Sequence, residues 1–101
     1  MGLNVNKTVS ADSLIIALDG SLDTNTAPQL EAELNASLDG VKTLVFDMEK
    51  LEYVSSAGLR VLLKAQKFMD EQGSMMVRNV CPEIMEIFDV TGFDDILTIE
   101  K

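Results

Sequence analysis

Two neighbouring serines stand at the predicted start of a helix. Ser55 and Ser56 precede Ala57-Gly58-Leu59, after which apolar residues recur at helical spacing. A serine in this setting favours the helix N-cap, because its hydroxyl accepts a hydrogen bond from a first-turn N–H group that has no carbonyl partner. The same N–H groups bind a phosphate placed beside them. The residues alone therefore leave two interpretations of Ser56 open, a simple cap and a phosphorylation site.

Side chains that commonly carry catalysis are scarce. The chain has no histidine, which removes the commonest general base and a frequent metal ligand, and Cys81 is its single cysteine. The Gly-x-Ser-x-Gly, Gly-x-x-x-x-Gly-Lys and Gly-x-Gly-x-x-Gly patterns of hydrolases and nucleotide-binding proteins are absent. We therefore expect a binding protein rather than an enzyme, with no cofactor and no metal.

The charge of the chain limits the partners that suit it. With 17 acidic and 8 basic side chains, the formal net charge is -9, and such a field repels nucleic acid and anionic lipid. A basic protein surface would be attracted instead. No apolar run approaches the roughly 20 residues that span a membrane, and one cysteine suits a reducing compartment. We expect a cytoplasmic protein that binds neither nucleic acid nor membrane.

The pattern of apolar residues predicts alternating strands and helices in one domain, 1–101, of which 47% is apolar. A helix start is expected at Thr26-Ala27-Pro28-Gln29, which fits a capping box. Strands are predicted at 3–10, 14–18, 43–46, 74–77 and 96–99. Helices are predicted from Asn25 or Thr26 to 38, from 56 to about 71, and at 82–91.

The order of these elements predicts an α/β fold. The first two strands form a hairpin, and later strands are joined by right-handed parallel crossovers. The almost wholly apolar strand Thr43-Leu44-Val45-Phe46 is expected at the centre, and Lys7, which interrupts the apolar face of the first strand, indicates an edge. We expect a four- to five-stranded mixed, mostly parallel sheet with an N-terminal antiparallel hairpin and three or more helices packed on it.

The segment 47–59 is expected to hold the end of the central strand, a loop and the start of a helix. Asp47 would close the strand. Met48 would follow it as an exposed apolar contact on the same rim as Ser56, and Gly58 would let another chain approach closely. Basic side chains on the next helix would flank this rim: Arg60, Lys64 and Lys67.

Four parts of the sequence form a recognisable combination: the turn Gly20-Ser21-Leu22-Asp23, Thr26 at the next helix, Asp47 after the central strand, and Tyr53-Val54-Ser55-Ser56-Ala57-Gly58-Leu59. Together they resemble the STAS domain family, and in particular the bacterial anti-sigma factor antagonists. The resemblance covers nearly the whole chain and implies a STAS-like fold. It also implies that a partner kinase phosphorylates the serine two positions before the motif glycine, here Ser56, with Asp23 lying near it.

The sequence differs from the usual family pattern on both sides of Ser56. Ser55 stands where the family often has Asp, and Ala57 stands where it often has Ser or Thr. Ser55 is therefore a rival phosphoacceptor, although the match to the motif favours Ser56.

The resemblance implies a function in partner switching. The unmodified domain would bind an anti-sigma factor that is also a serine kinase, which releases a sigma factor, and phosphorylation of Ser56 would end that binding. A serine phosphatase is a further expected partner. The partner-binding residues implied are Asp23, Thr24, Met48, Ser55, Ser56, Ala57, Gly58 and Arg60.

Two alternatives remain at the level of sequence. The chain could be a non-switching STAS interaction subunit of a lipid-transport or stress-signalling complex, which would need the same surface but no kinase. It could also be a receiver-like phosphoacceptor domain that uses Asp47, with Mg²⁺ held by neighbouring acids. The second alternative fits less well, because Asp19 stands alone after an early strand and Lys101 is the only late lysine.

Overall fold

The computed structural model describes residues 2–100 and contains four strands and four helices in that range. The strands are β1 (Leu3–Ser10), β2 (Ser13–Leu22), β3 (Thr43–Val54) and β4 (Ser74–Arg78). The helices are α1 (Ala27–Ser37), α2 (Ser56–Gln72), α3 (Pro82–Thr91) and α4 (Phe93–Ile96).

The strands form one mixed sheet in the order β1-β2-β3-β4. β1 runs antiparallel to β2, whereas β2, β3 and β4 are parallel. The predicted fold class, the hairpin, the central position of β3 and the edge position of β1 are therefore confirmed. Lys7 on the edge strand reaches α1, where its Nζ lies 2.7 Å from the Glu33 carboxylate and 3.0 Å from Ser37 Oγ.

One face of the sheet forms the core. Ile16, Phe46 and Val77 are register neighbours across β2, β3 and β4, and all three are fully buried. The next row, which points to the other face of each strand, is only half-buried: Ile15, Val45 and Met76. The helices therefore cover one face, as expected when successive parallel strands are joined by crossovers of the same hand.

β3 is much longer than the sequence predicted, because two irregularities interrupt its alternation. Ala17 and Asp19 of β2 pair with Asp47 and Lys50, so β3 carries one extra residue between these pairs. A second extra residue follows further along, and each acts as a β-bulge. The buried residues of β3 change from a spacing of two to a spacing of three, with Met48, Leu51 and Val54 all buried. The predicted loop after Asp47 is therefore wrong, and the strand continues to Val54.

β2 is also longer than predicted, for a related reason. The expected turn at Gly20-Ser21-Leu22-Asp23 is strand up to Leu22, and Gly20 adopts a left-handed φ of 117° beside the second bulge. Ser21 and Leu22 are both buried. The two lengthened strands carry their carboxyl ends out to the same edge of the sheet.

The C-terminal region departs from the predicted last strand. Ile96 ends the short helix α4, and Phe93, Ile96 and the C-cap residue Leu97 have apolar side chains at helical spacing. Among residues 96–100, Ile99 alone pairs with the sheet, through a parallel bridge to Val77 of β4. The predicted third helix and its stop are confirmed, since α3 is followed by Gly92 in the left-handed region at φ 80°. Between residues 2 and 100, no helix combines the length and apolar character needed to cross a membrane.

Candidate functional site

The end of β2 and the start of α2 meet at one edge of the sheet. Leu22 is the register partner of Val54, and the Ser55 N–H donates a hydrogen bond of 2.8 Å to the Leu22 carbonyl oxygen. The residues that follow these two strands are thus held side by side. We name the exposed or half-exposed set at this edge the Ser56 surface: Asp23, Thr24, Ser55, Ser56, Ala57 and Arg60.

The two serines have different roles in the helix start. Ser55 is the N-cap, with extended backbone at φ -93° and ψ 174°, and its Oγ accepts a hydrogen bond of 3.3 Å from the Gly58 N–H. Ser56 is the first residue of α2 and is exposed. Of the two interpretations of Ser56, the simple cap is therefore wrong, because the preceding serine occupies that position.

The Ser56 hydroxyl is consequently free within the described part of the chain. It makes no side-chain hydrogen bond to residues 2–100, whereas the Ser55 hydroxyl is engaged by the helix. The first two N–H groups of α2, those of Ser56 and Ala57, also have no backbone partner in that range. A 17-residue helix therefore points unpaired donors and its positive dipole end toward an accessible hydroxyl.

Asp23 is ordered by the loop that joins β2 to α1. Its carboxylate accepts hydrogen bonds from the Asn25 N–H at 2.9 Å and from the Thr26 N–H at 3.0 Å. The bond from the Thr26 N–H is the main cause that lowers the pKa of Asp23, and it outweighs the opposing effect of partial burial. Asp23 is therefore a fixed negative charge beside the start of α2.

Thr26 connects the same loop to β2. Its buried hydroxyl accepts from the Asp23 N–H at 2.8 Å and donates to the Ser21 carbonyl at 2.7 Å. The predicted capping box is wrong, because this hydroxyl points back toward β2 and the Gln29 side chain donates to Leu3 O at 3.0 Å. This contact of Ser21 leaves no signal in the sequence, because it is made by the backbone carbonyl and not by the side chain.

Gly58 allows α2 to lie against the end of β2. A Cβ atom added at this position would come within 2.7 Å of Leu22 Cγ, 2.9 Å of Leu22 O and 2.9 Å of Val54 Cγ2. The close approach that the glycine permits is therefore within the chain. The expectation that Gly58 is open to another chain is wrong, since its neighbourhood is already filled and the residue is buried.

Met48 does not belong to the Ser56 surface. It was expected to be an exposed apolar contact after the end of the central strand, but its side chain is fully buried in the core. The cause is the continuation of β3, which places Met48 on the same face as Leu44 and Phe46. This residue supports the sheet and is not available to a partner.

A shallow groove lies between α1 and α2. Its volume is about 210 Å³, and its lining includes Thr24, Pro28, Arg60 and Ala57, the residue that follows Ser56. Further along, Lys64 Nζ lies 2.7 Å from the Glu31 carboxylate and joins the two helices. Thr24 and Arg60, both predicted partner residues, are exposed here.

Asp47 lies on the sheet, apart from the Ser56 surface. Burial raises the pKa of Asp47, but hydrogen bonds from Asn79 at 3.1 Å and the Glu49 N–H at 3.1 Å, with the charge of Arg78, lower it overall. Arg78 Nη2 is 3.6 Å from the carboxylate. No group of three or more acidic, histidine or cysteine side chains in the range 2–100 is arranged to hold a metal. These contacts favour a structural role for Asp47 over that of a receiver-like phosphoacceptor.

A family model described as the STAS domain matches residues 4–101, and the chain therefore belongs to the STAS domain family. A protein of Bordetella bronchiseptica with the provisional name anti-sigma factor antagonist BtrV is 41% identical over 88 residues, which are 85% of this chain and 76% of the relative. The anti-sigma-B factor antagonist of Bacillus subtilis is 27% identical over 100 residues, which are 98% of this chain and 92% of the relative.

Solved structures show the same fold. The anti-sigma factor antagonist SpoIIAA in its unphosphorylated form aligns with a TM-score of 0.75 at 20% identity, over 98% of this chain and 87% of that chain. The Bacillus cell fate determinant SpoIIAA in the phosphorylated form aligns with a TM-score of 0.73 at 20% identity, over 98% of this chain and 91% of that chain.

Proposed function

We propose that this chain is an anti-sigma factor antagonist whose binding is switched by phosphorylation of Ser56. In the unmodified state, the Ser56 surface binds an anti-sigma factor with serine kinase activity, and that binding releases a sigma factor. The kinase then transfers the γ-phosphoryl group of ATP to Ser56 Oγ, with release of ADP and the hydroxyl proton. The modified domain loses its partner until a serine phosphatase removes the phosphate.

One observation carries this proposal: the Ser56 hydroxyl is exposed and unpaired within residues 2–100 at the start of α2, while Ser55 performs the capping. A serine that served only as a cap would accept a hydrogen bond from a first-turn N–H group, as Ser55 does. The names of the relatives agree with the proposal, since both are called anti-sigma factor antagonists. The existence of SpoIIAA in unphosphorylated and phosphorylated forms agrees with it too.

The charge of the phosphate explains how the modification would act. A phosphoserine adds about -1.5 to -2 charges at neutral pH, and Ser56 lies at the same edge as the ionised Asp23. An interface that accepts the unmodified surface would meet concentrated negative charge, and like charges brought together in an interface cost several kcal/mol. The unpaired N–H groups of α2 would accommodate the phosphate without refolding.

The choice between the two serines follows from their hydrogen bonds. Phosphorylation of Ser55 would require its Oγ to leave the Gly58 N–H, and the cap of α2 would be disturbed. Phosphorylation of Ser56 breaks no hydrogen bond within residues 2–100. We therefore assign the modification to Ser56 and the cap to Ser55.

A capture experiment in the source cell tests the proposal. The chain is immobilised, its partner is captured from lysate, ATP is added, and the chain is analysed by mass spectrometry. We expect an ATP-dependent release of the partner together with one phosphoryl group on Ser56. The Ser56→Ala variant should keep the partner after ATP addition, whereas Ser55→Ala should release it.

The non-switching interaction subunit predicts a different outcome. The partner would stay bound after ATP addition, and a Ser56→Asp variant would bind it at full strength. A phosphoryl group found on Asp47 and sensitive to hydroxylamine would support the receiver-like alternative instead.

A further inference from the structure

Arg60 stands one helical turn after Ser56 on the exposed side of α2. Side chains four residues apart on a helix are neighbours, with Cβ atoms about 5–6 Å apart. Both residues are exposed, and Arg60 lines the same groove as Ala57, the residue that follows Ser56. Within residues 2–100 Arg60 makes no salt bridge and no side-chain hydrogen bond, so its guanidinium is available.

The other basic side chains of α2 are less suitable neighbours for a charge at Ser56. Lys64 lies eight residues after Ser56 and is already paired with Glu31 at 2.7 Å. Lys67 lies eleven residues after Ser56, which is about 16 Å along the helix axis. This separation exceeds the Debye length of about 8 Å at physiological ionic strength, so Lys67 is largely screened from that position.

A phosphate on Ser56 would be stabilised further by a cation nearby. The two unpaired N–H groups of Ser56 and Ala57 carry only partial charge, and the ionised Asp23 lies at the same edge. An arginine presents two parallel N–H donors that match two phosphate oxygens, which makes it a strong phosphate ligand. Arg60 supplies this group from the adjacent turn without a change of backbone.

We propose that Arg60 is the positioning residue that holds the phosphate of phosphorylated Ser56 through a bidentate hydrogen-bonded ion pair. This inference rests on the proposed phosphorylation of Ser56. It adds a second effect to the switch, because the phosphate occupies the guanidinium that the unmodified Ser56 surface offers to a partner. Phosphorylation thus adds negative charge and withdraws a positive one at the same place.

The test measures the pKa for the second ionisation of the phosphate on Ser56. The chain is produced with phosphoserine incorporated at position 56 during translation, and the phosphate is titrated by ³¹P NMR at low and physiological salt. Three variants accompany the parent: Arg60→Gln, Arg60→Lys and, as a matched control on the same helix, Lys67→Gln. Circular dichroism establishes that each variant is folded.

A nearby guanidinium stabilises the dianion and lowers its second pKa below the usual value of about 6. We expect Arg60→Gln to raise that pKa by about 0.3 units or more, since opposite charges one helical turn apart stabilise each other weakly and a bidentate pair does so more strongly. Arg60→Lys should restore part of the shift, and Lys67→Gln should change the value by less than about 0.1 units, because it is screened.

The proposal would be overturned if the second phosphate pKa were the same in the parent and in Arg60→Gln. It would also be overturned if Arg60→Gln and Lys67→Gln changed that pKa equally. The measurement uses neither kinase nor anti-sigma factor. Its failure is therefore distinct from failure of the proposed function, which would appear as partner binding that is insensitive to ATP.

Discussion

Gly58 of α2 lies so close to Leu22 of β2 that a Cβ atom at position 58 would sit 2.7 Å from Leu22 Cγ. Together with the 2.8 Å hydrogen bond from the Ser55 N–H to the Leu22 carbonyl, this contact fixes where α2 begins. The position of the Ser56 hydroxyl therefore depends on a glycine two residues later in the chain.

Gly58→Ala should destabilise the fold although alanine is the better helix former. The gain in helix propensity is about 1 kcal/mol at most, whereas overpacking against Leu22 and Val54 typically costs about 1–3 kcal/mol. We expect a net loss of about 1 kcal/mol in the free energy of unfolding, measured by urea denaturation. Gly2→Ala is the control, because nothing lies within 4 Å of its added Cβ. An unchanged urea midpoint for Gly58→Ala would show that the junction is looser than described.

Thr26→Val should also destabilise the domain, since it removes a buried hydroxyl without changing the shape of the side chain. The Ser21 carbonyl and the Asp23 N–H would each lose a partner. Leaving a buried polar group unsatisfied costs about 1–3 kcal/mol. Thr24→Val, at an exposed position in the same loop, should change the free energy of unfolding by less than about 0.5 kcal/mol. If Thr26→Val and Thr24→Val lowered the free energy of unfolding equally, the hydrogen bonds of the Thr26 hydroxyl would not stabilise the domain.

The hydrogen bonds to Asp23 should make part of the stability depend on pH. The pKa of Asp23 is lowered in the folded state, so the unfolded chain binds the proton more tightly. The stabilisation is therefore present above the unfolded pKa of about 3.9 and is lost as the pH falls through the folded value. NMR titration of the carboxyl carbon should give a pKa below about 3.9 in the folded protein. A folded-state pKa at or above the unfolded value would contradict the hydrogen bonds from the Asn25 and Thr26 N–H groups to Asp23.

Ser55→Ala should lower stability and keep the modification, whereas Ser56→Ala should keep stability and lose the modification. Loss of the N-cap by Ser55→Ala should cost about 0.5–2 kcal/mol, while phosphorylation at Ser56 continues. Ser56→Ala should leave stability within about 0.5 kcal/mol, because the hydroxyl is exposed, but should abolish phosphorylation. Denaturation curves and mass spectrometry after incubation with kinase and ATP distinguish the two. If Ser56→Ala still acquired a phosphoryl group, the phosphorylation site would be a residue other than Ser56.

A single charge at position 56 should weaken partner binding by about 1–3 kcal/mol, or about 5- to 150-fold. The variant is Ser56→Asp, and calorimetry with the anti-sigma factor measures its affinity. Ser10→Asp is the control: Ser10 is exposed and pairs with Ser13, at the end of β2 opposite to Leu22. If both variants lose affinity equally, the effect is one of net charge and not of the Ser56 surface.

Much of the fold could be predicted from the sequence, because its apolar spacing and its helix termini agree with the final elements. Pro82 and Gly92 enclose α3 as expected, and Lys7 lies on an edge strand. The incorrect ends predicted for β2 and β3 have one cause. The two β-bulges change the phase of β3, so Met48, Leu51 and Val54 no longer alternate and their segment resembles a loop.

The candidate site was predicted less completely than the fold. A serine pair before a glycine indicated where the helix starts, but not which serine caps it. That choice depends on the register of β2 and β3, which places the Ser55 N–H on the Leu22 carbonyl. Leu22, which lies against Gly58, is likewise 36 residues earlier in the chain, so this contact leaves no local pattern. Contacts between distant segments decide both questions.

The most direct test of the switch compares the affinity of the unmodified chain and of the chain phosphorylated at Ser56 for the anti-sigma factor, measured by calorimetry at physiological salt. The charge argument predicts at least a tenfold loss of affinity on phosphorylation, which corresponds to about 1.4 kcal/mol. Equal affinities for the two forms would contradict it.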